Sequence, residues 1–282
     1  MRTFKGIIAL DIDGTITTQR HTIEKLVVDY LHELMEDFLL IFISGRTFSF
    51  ARPILSHLIG HYYFAVQNGA ALYEMPTVTQ LKKHYLKAET IHTLDPLFAN
   101  ERGGLLVETG QERDDVCYYK PSDFEPDELK YIKKRISFSP ETWVAVSSFD
   151  ELDLKEFAVG KYFAPKLEAK KVADRIHQIP GFKVVVIHDP FRKGSHLAHI
   201  NSSEASKGLI LQEFIDMQPK KLPVIAAGDD YNDIEMLEKS DIKIVMKNAP
   251  KDMHHYGDIL ARPASELGII VALKEAIHER LS

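Results

Sequence analysis

An α/β fold, with a doubly wound, parallel-sheet, Rossmann-like core interrupted by an inserted α+β domain, follows from three features of the 282-residue sequence. Short, wholly apolar runs recur, each stopped by glycine or polar residues and followed by a stretch with helical apolar spacing. Between about residues 85 and 192 this alternation gives way to strands in neighbouring pairs. After residue 192 the alternation resumes. Alternating strands and helices build a parallel sheet, and such sheets gather ligands beyond the strand C-termini. The chain therefore divides into a discontinuous core, 1–84 plus 193–282, and an insert, 85–192.

The first apolar run, residues 4–10, ends in Asp11-Ile12-Asp13-Gly14-Thr15. Strand side chains alternate, so Asp11 and Asp13 leave the strand end on one face. Thr22 is placed to cap a helix whose Ile23, Leu26, Val27, Tyr30, Leu31 and Leu34 form one stripe. Residues 38–43 form a second apolar run, which stops at Ser44-Gly45-Arg46; residues 47–59 read as helical despite Pro53. A third strand, 63–66, runs into Gln67-Asn68-Gly69-Ala70.

In the insert, 105–108 and 116–119 read as a hairpin across 110–114, and Glu125-Pro126-Asp127-Glu128 opens a helix through Ile136. Strands are expected at 143–146, 157–163 and 183–188, with a Lys-rich helix over 165–178. A turn-rich segment, Asp189 to Gly194, precedes a strand at 196–200 that leads back to the core. There a helix at 208–217, an apolar run at 223–227 ending in Gly228-Asp229-Asp230, a helix at 232–239, a strand at 242–246 and a closing helix through Leu281 complete the pattern.

Composition narrows the function. A formal charge of -6 without a basic stripe argues against a nucleic-acid binder and favours a small partner. No run reaches the ~20 apolar residues of a membrane helix. A single Cys117 excludes an intrachain disulfide and suits a reducing, cytoplasmic setting; within an apolar strand it reads as a packing residue. His188, His196, His199, His254 and His255 lack metal-ligand spacing and read as surface or packing groups.

The strand ends collect Asp11 and Asp13, Ser44, Lys207 at a helix start, and Asp229 with Asp233. Taken alone, Ser44 is no more than a cap, and Asp230 a solvated neighbour. The acids with a lysine are a different matter, because clustered buried charge is costly without a cation or ligand. Two carboxylates can divide phosphoryl-transfer chemistry: one attacks phosphorus, and the other protonates the leaving oxygen and later activates water. Phosphate-monoester hydrolysis needs about 20 kcal/mol or more of barrier lowering, mostly from positioning and charge. Each pair of like unit charges at 4 Å repels by about 4 kcal/mol at an effective dielectric of 20, so a carboxylate meeting a phosphate dianion needs cations. Mg²⁺ held by Asp11 and Asp229, with Asp233 in or just outside the same shell, and Lys207 can supply them. Ser44 can donate to a phosphate oxygen beside backbone amides of the next helix.

Asp11-x-Asp13-Gly14-Thr15, Ser44-Gly45-Arg46, Ser206-Lys207-Gly208 and Gly228-Asp229-x-x-Asn232-Asp233 together resemble the four motifs of the haloacid dehalogenase superfamily. The pattern is most similar to the Cof-type phosphatases, subfamily IIB, with an α/β cap inserted between the second and third motifs. Asn68-Gly69-Ala70 and the stretch from Ile234-Glu235-Met236-Leu237 to Asn248-Ala249 resemble that subfamily too. The likeness covers both core segments, some 170 residues, and reaches the cap only in position and size.

The resemblance implies a Mg²⁺-dependent phosphatase: Asp11 the nucleophile, Asp13 the general acid and base, Lys207 catalytic and phosphate-binding. Ser44, Gly45 and Asn232 would hold the phosphate. Asp11, Asp229, the Asp13 backbone carbonyl and Asp233 would hold or support the metal. Ser44 stands where Thr is common, which should change little. The expected substrate is a small phosphorylated metabolite, a sugar phosphate above all, with Arg46, Asn68, Lys161 and Arg192 as candidate contacts to it. A phosphomutase would use the same aspartates, and a silent sugar-phosphate sensor would lack one of Asp11, Asp13 or Lys207, all of which are present.

Overall fold

The computed structural model describes residues 3–18, 22–189 and 191–280. Pro190 of the turn-rich segment and Leu281 of the closing helix lie outside them. The chain divides into two compact units: Met1–Gly45, Ala51–Lys83 and Ser206–Ser282 form one, Arg46–Phe50 and His84–Ala205 the other.

In chain order the first unit opens with β1 (Gly6–Leu10), α1 (Lys25–Leu34) and β2 (Phe38–Ile43). After the short α2 (Phe48–Ala51) come β3 (Tyr62–Val66), β4 (Ala71–Met75) and β5 (Thr79–Lys83). The second unit holds β6 (Leu86–Lys87), α3 (Ile91–Leu94), β7 (Leu106–Glu108), β8 (Cys117–Tyr119), α4 (Pro126–Ile136) and β9 (Trp143–Ala145). It continues with β10 (Glu156–Phe157), β11 (Val159–Pro165), α5 (Lys166–Ile176), β12 (Phe182–His188) and β13 (Ser195–Ser202). The first unit then resumes with α6 (Lys207–Asp216), β14 (Val224–Gly228), α7 (Ile234–Glu238), β15 (Ile242–Met246), β16 (Ile259–Ala261) and α8 (Gly268–Arg280).

The first unit's sheet runs β16-β15-β14-β1-β2-β3-β4-β5, parallel from β16 to β3. Both faces are covered, which is why β1 and β2 are buried at every position instead of alternating. Ile7, Ala9, Leu39 and Ile41 pack on one side against Leu211 and Phe214 of α6 and Met236 and Leu237 of α7. On the other, α8 lies along β15 and β16 and touches α1. The chain proceeds from β1 toward β2 and β3, and later returns on the opposite side at β14. The sheet's switch point therefore falls between β1 and β14, the place where open α/β sheets gather ligands.

The second unit has a six-stranded sheet, β12-β13-β11-β7-β8-β9, antiparallel except for the β8–β9 pair. Tyr162, Ala198 and Ile200 face Ala169, Val172 and Ile176 of α5; Leu106, Phe163 and Leu197 face Tyr131 and Ile132 of α4. The α/β class with an α+β insertion is what the sequence predicts. Cys117 is buried on this sheet, and burial, with Glu108 nearby, pushes its thiol well above the ordinary range. Such a thiol is a packing group.

Several expectations need correction. Residues 193–205 group with the second unit, because β13 is paired on both sides by β11 and β12. The helix expected over 47–59 is only Phe48–Ala51 followed by turns, and Pro53 explains the stop, since its ring blocks the preceding turn. Thr22 does not cap α1, whose N-cap is Glu24. The strands at 71–75, 79–83 and 259–261 were not foreseen; the first two form an antiparallel hairpin on the sheet edge. Among the described residues, no helix is long and apolar enough to cross a membrane.

Candidate active site

Asp11, Lys207, Asp229 and Asp233, which the sequence places at strand ends and a helix start, meet at the switch point. Asp11 follows β1 directly, and its amide donates to Ala227 O of β14 at 3.0 Å, fixing the carboxylate at the boundary of the two strands. Beyond it the chain makes one tight turn: the Ile16 and Thr17 amides and the Thr17 hydroxyl all bond Ile12 O at 3.0–3.1 Å. Gly14 lies in this turn at φ +78, and a Cβ there would fall 2.0 Å from Asp229 Oδ2. Only glycine allows the two loops so close.

Lys207 arrives from the other side as the first residue of α6. The Ser206 hydroxyl caps that helix by accepting from the Leu209 amide at 3.1 Å, and donates to Glu235 Oε2 at 2.5 Å. Lys207 is 1% exposed, so its ammonium must be paired. Its Nζ lies 2.5 Å from Asp11 Oδ1 and 2.6 Å from Asp233 Oδ1. Burial alone would lower this lysine, but the two carboxylates hold it above its usual range. Burial pushes Asp11 up to about 8, with Asp233 and Asp13 adding to the rise and Lys207 opposing it. Asp229 is likewise raised well above the carboxylate range by burial and by Asp11 and Asp233. Burial is the largest cause of both rises, and the neighbouring carboxylates add to it.

Asp11, Asp229 and Asp233 each offer a carboxylate oxygen within 4.8 Å of the others, the one such group of three among the described residues. They fit a hard divalent cation, and they differ in what they have left to give. Asp11 Oδ2 is buried and has no hydrogen-bond partner. Asp229 accepts from Asn248 through Oδ2, while Oδ1 takes no hydrogen bond among the described residues. Asp233 is engaged at both oxygens: Oδ1 holds Lys207, and Oδ2 accepts the amides of Asp229 at 2.8 Å and Asp230 at 3.0 Å. The open oxygens are therefore those of Asp11 and Asp229. Asp230, expected as a solvated neighbour, caps the turn by accepting from the Tyr231 amide.

Ser44 is fully buried just past β2, its amide donating to Ala65 O and its carbonyl accepting the Asn68 amide, both at 2.9 Å. Asn68, expected to contact substrate, is 2% exposed in the left-handed region at φ 58, and its Oδ1 accepts Asn232 Nδ2 at 2.9 Å. It therefore bridges the Ser44 loop and the Asp229–Asp233 loop.

The other three candidate contacts belong to the second unit. Arg46 stacks over Phe50 at 4.5 Å and Phe191 at 5.8 Å. Lys161 forms a buried pair with Glu108 at 2.6 Å, and Arg192 pairs with Glu128 at 2.7 Å over the Tyr131 ring. The resemblance flagged Asn248 without giving it a role. A polar side chain just past the C-terminus of a parallel strand, β15, was the signal for one.

A family model for haloacid dehalogenase-like hydrolases matches residues 8–273. Phosphoglycolate phosphatase of Sulfolobus acidocaldarius is 23% identical over 281 residues, spanning 96% of each chain. A haloacid dehalogenase-like hydrolase structure from B. subtilis superposes with a TM-score of 0.77 at 19% identity, covering 98% of this chain and 100% of that one. A subclass IIB sugar phosphatase gives a TM-score of 0.74 at 21% identity, with 96% and 98% covered.

Proposed function

The chain belongs to the haloacid dehalogenase-like hydrolases, and from that premise we propose a Mg²⁺-dependent phosphatase that hydrolyses a small phosphomonoester through an aspartyl-phosphate on Asp11. The observation that carries this reading is the asymmetry of the Asp11 carboxylate. Oδ1 is held by Lys207, and Oδ2 is buried without a hydrogen-bond partner, in a carboxylate that clusters with those of Asp229 and Asp233. A carboxylate fixed at one oxygen is aimed, and its nucleophilic attack needs little reorganisation.

In this mechanism Asp11 and Asp229 hold Mg²⁺, and Asp233 keeps Lys207 and the Asp229 backbone in place. When bound, Mg²⁺ supplies the positive charge that lets an ionised Asp11 meet a phosphate dianion. Lys207 stays protonated and neutralises the phosphoryl oxygens together with the Ser44 hydroxyl. An Asp11 oxygen bonds to phosphorus as the ester P–O bond breaks, and Asp13 gives its proton to the leaving oxygen. Asp13, now ionised, takes a proton from water; the hydroxide attacks phosphorus, the Asp11 O–P bond breaks, and phosphate leaves.

The names of the relatives, a phosphoglycolate phosphatase and a sugar phosphatase, support a small anionic or sugar leaving group. The test is phosphate release from a panel of phosphorylated metabolites, including 2-phosphoglycolate and hexose phosphates, with Mg²⁺ and with EDTA. Mg²⁺-dependent release of inorganic phosphate is expected. Isomerised sugar phosphate in its place would make the enzyme a mutase, and no turnover even of p-nitrophenyl phosphate would end the proposal.

A further inference from the structure

We propose that Asn248, outside the four motif segments, is a positioning residue that fixes the orientation of the Asp229 carboxylate; this rests on the reading of Asp229 as a Mg²⁺ ligand. Asn248 follows β15, yet it reaches past β14 to the turn after β1. Its Nδ2 lies 2.6 Å from Asp229 Oδ2 and 3.2 Å from Gly14 O. Both neighbours are acceptors, so the amide must present its nitrogen to them, and the contact is directional. Gly14 makes it possible: a Cβ at that position would come within 2.0 Å of Asp229 Oδ2 and 3.0 Å of Asn248 Nδ2.

The consequence follows from counting oxygens. Asp229 has two; Asn248 holds Oδ2, and the carboxylate so held offers an oxygen within 4.8 Å of those of Asp11 and Asp233. Without the amide, the carboxylate can rotate about its terminal bond and turn its oxygens away from that space. Outer partners of metal ligands act in this way, and their loss costs about 10–100-fold in metal affinity or activity. The same amide bonds the Gly14 carbonyl, so it joins the Asp229 loop to the turn that carries Asp13. The backbone of β15, β14 and β1 is set by the sheet, so Asn248 adds orientation and not fold.

The experiment is Mg²⁺ titration of the full chain by calorimetry, with Mn²⁺ binding by electron paramagnetic resonance as a second readout. The variants are Asn248→Ala and the near-isosteric Asn248→Leu, compared with the parent chain. Both should bind either ion about 10–100-fold more weakly. Their melting temperatures in EDTA should match the parent's, because Asn248 is exposed. Raising Mg²⁺ should restore most of kcat. Unchanged affinity in Asn248→Ala overturns the inference, and so does full rescue by leucine, which would assign the effect to packing. A parent chain that binds neither ion overturns the Mg²⁺ reading itself, and this inference with it.

Discussion

Asp233 Oδ1 holds Lys207 Nζ at 2.6 Å while its Oδ2 accepts the amides of Asp229 and Asp230, so one buried carboxylate joins the α6 start to the loop after β14. Asp233 is 0% exposed. Truncation would strand two amides and remove half of the counter-charge of a buried ammonium. Asp233→Ala should destabilise the chain by about 3–5 kcal/mol, the usual cost of breaking a buried charge pair from one side. Asp233→Asn should recover little, since its Nδ2 must face a donor on one side or the other. Urea unfolding measures both, and a loss below about 1 kcal/mol for alanine would contradict this account.

Asp11→Asn separates chemistry from fold. The amide cannot attack phosphorus, so Mg²⁺-supported phosphate release should fall by at least ~10⁴-fold, as for other removed nucleophiles. The metal-free protein should keep its fold, because asparagine retains an oxygen that can accept from Lys207 and Asp233 still pairs with that ammonium. Phosphate release with p-nitrophenyl phosphate and melting in EDTA are the paired readouts. Residual activity near the parent level would exclude Asp11 as nucleophile.

Asn68 is predicted to act through Asn232 and not by touching substrate. It sits at φ 58, so Asn68→Gly keeps the backbone and removes only the amide, whereas Asn68→Ala adds left-handed strain of about 1–2 kcal/mol. Stability should therefore rank glycine above alanine. Both should raise KM, since the Ser44 and Asn232 loops lose their tie. In a double-mutant cycle with Asn232→Ala the effects should fall well short of additive. Additive losses would return Asn68 to the role of an independent substrate contact.

What could be read in advance was set by local pattern. Asp11 and Asp13 were legible because a buried strand and a period of two dictate where they emerge, and Lys207 and Asp229 because each stands where an element meets a turn. The pairing of Lys207 with Asp11 spans 196 residues and became legible only through the switch-point rule and the family motifs. Asn248 was illegible as a partner, because nothing local tells a loop amide that it will reach past one strand to the turn of another. The helix over 47–59 failed where Pro53 overruled an otherwise favourable pattern. The boundary at 192 failed because Ser195–Ser202 looks the same whether its pairing partners are parallel or antiparallel, and only β11 and β12 decide it.

The second unit makes a separate prediction at Asp115. This side chain is 1% exposed; Oδ2 accepts the Ser49 amide at 2.7 Å, and Oδ1 has no hydrogen-bond partner. Burial raises its pKa from 3.8 to about 6, with Glu108 and Glu141 adding to the rise and the Ser49 hydrogen bonds opposing it. The folded chain thus binds this proton more tightly than the unfolded chain. The resulting stability is fully present below pH 3.8 and is lost as pH rises through 6, by up to about 3 kcal/mol at 1.36 kcal/mol per unit. Asp115→Asn keeps an acceptor for the Ser49 amide and has no proton to lose. Urea unfolding at pH 4, 5, 6 and 7 should show the parent falling behind the asparagine variant across this interval, the gap levelling off above pH 6. Parallel pH profiles for the two proteins would mean that Asp115 ionises in the folded chain at no cost.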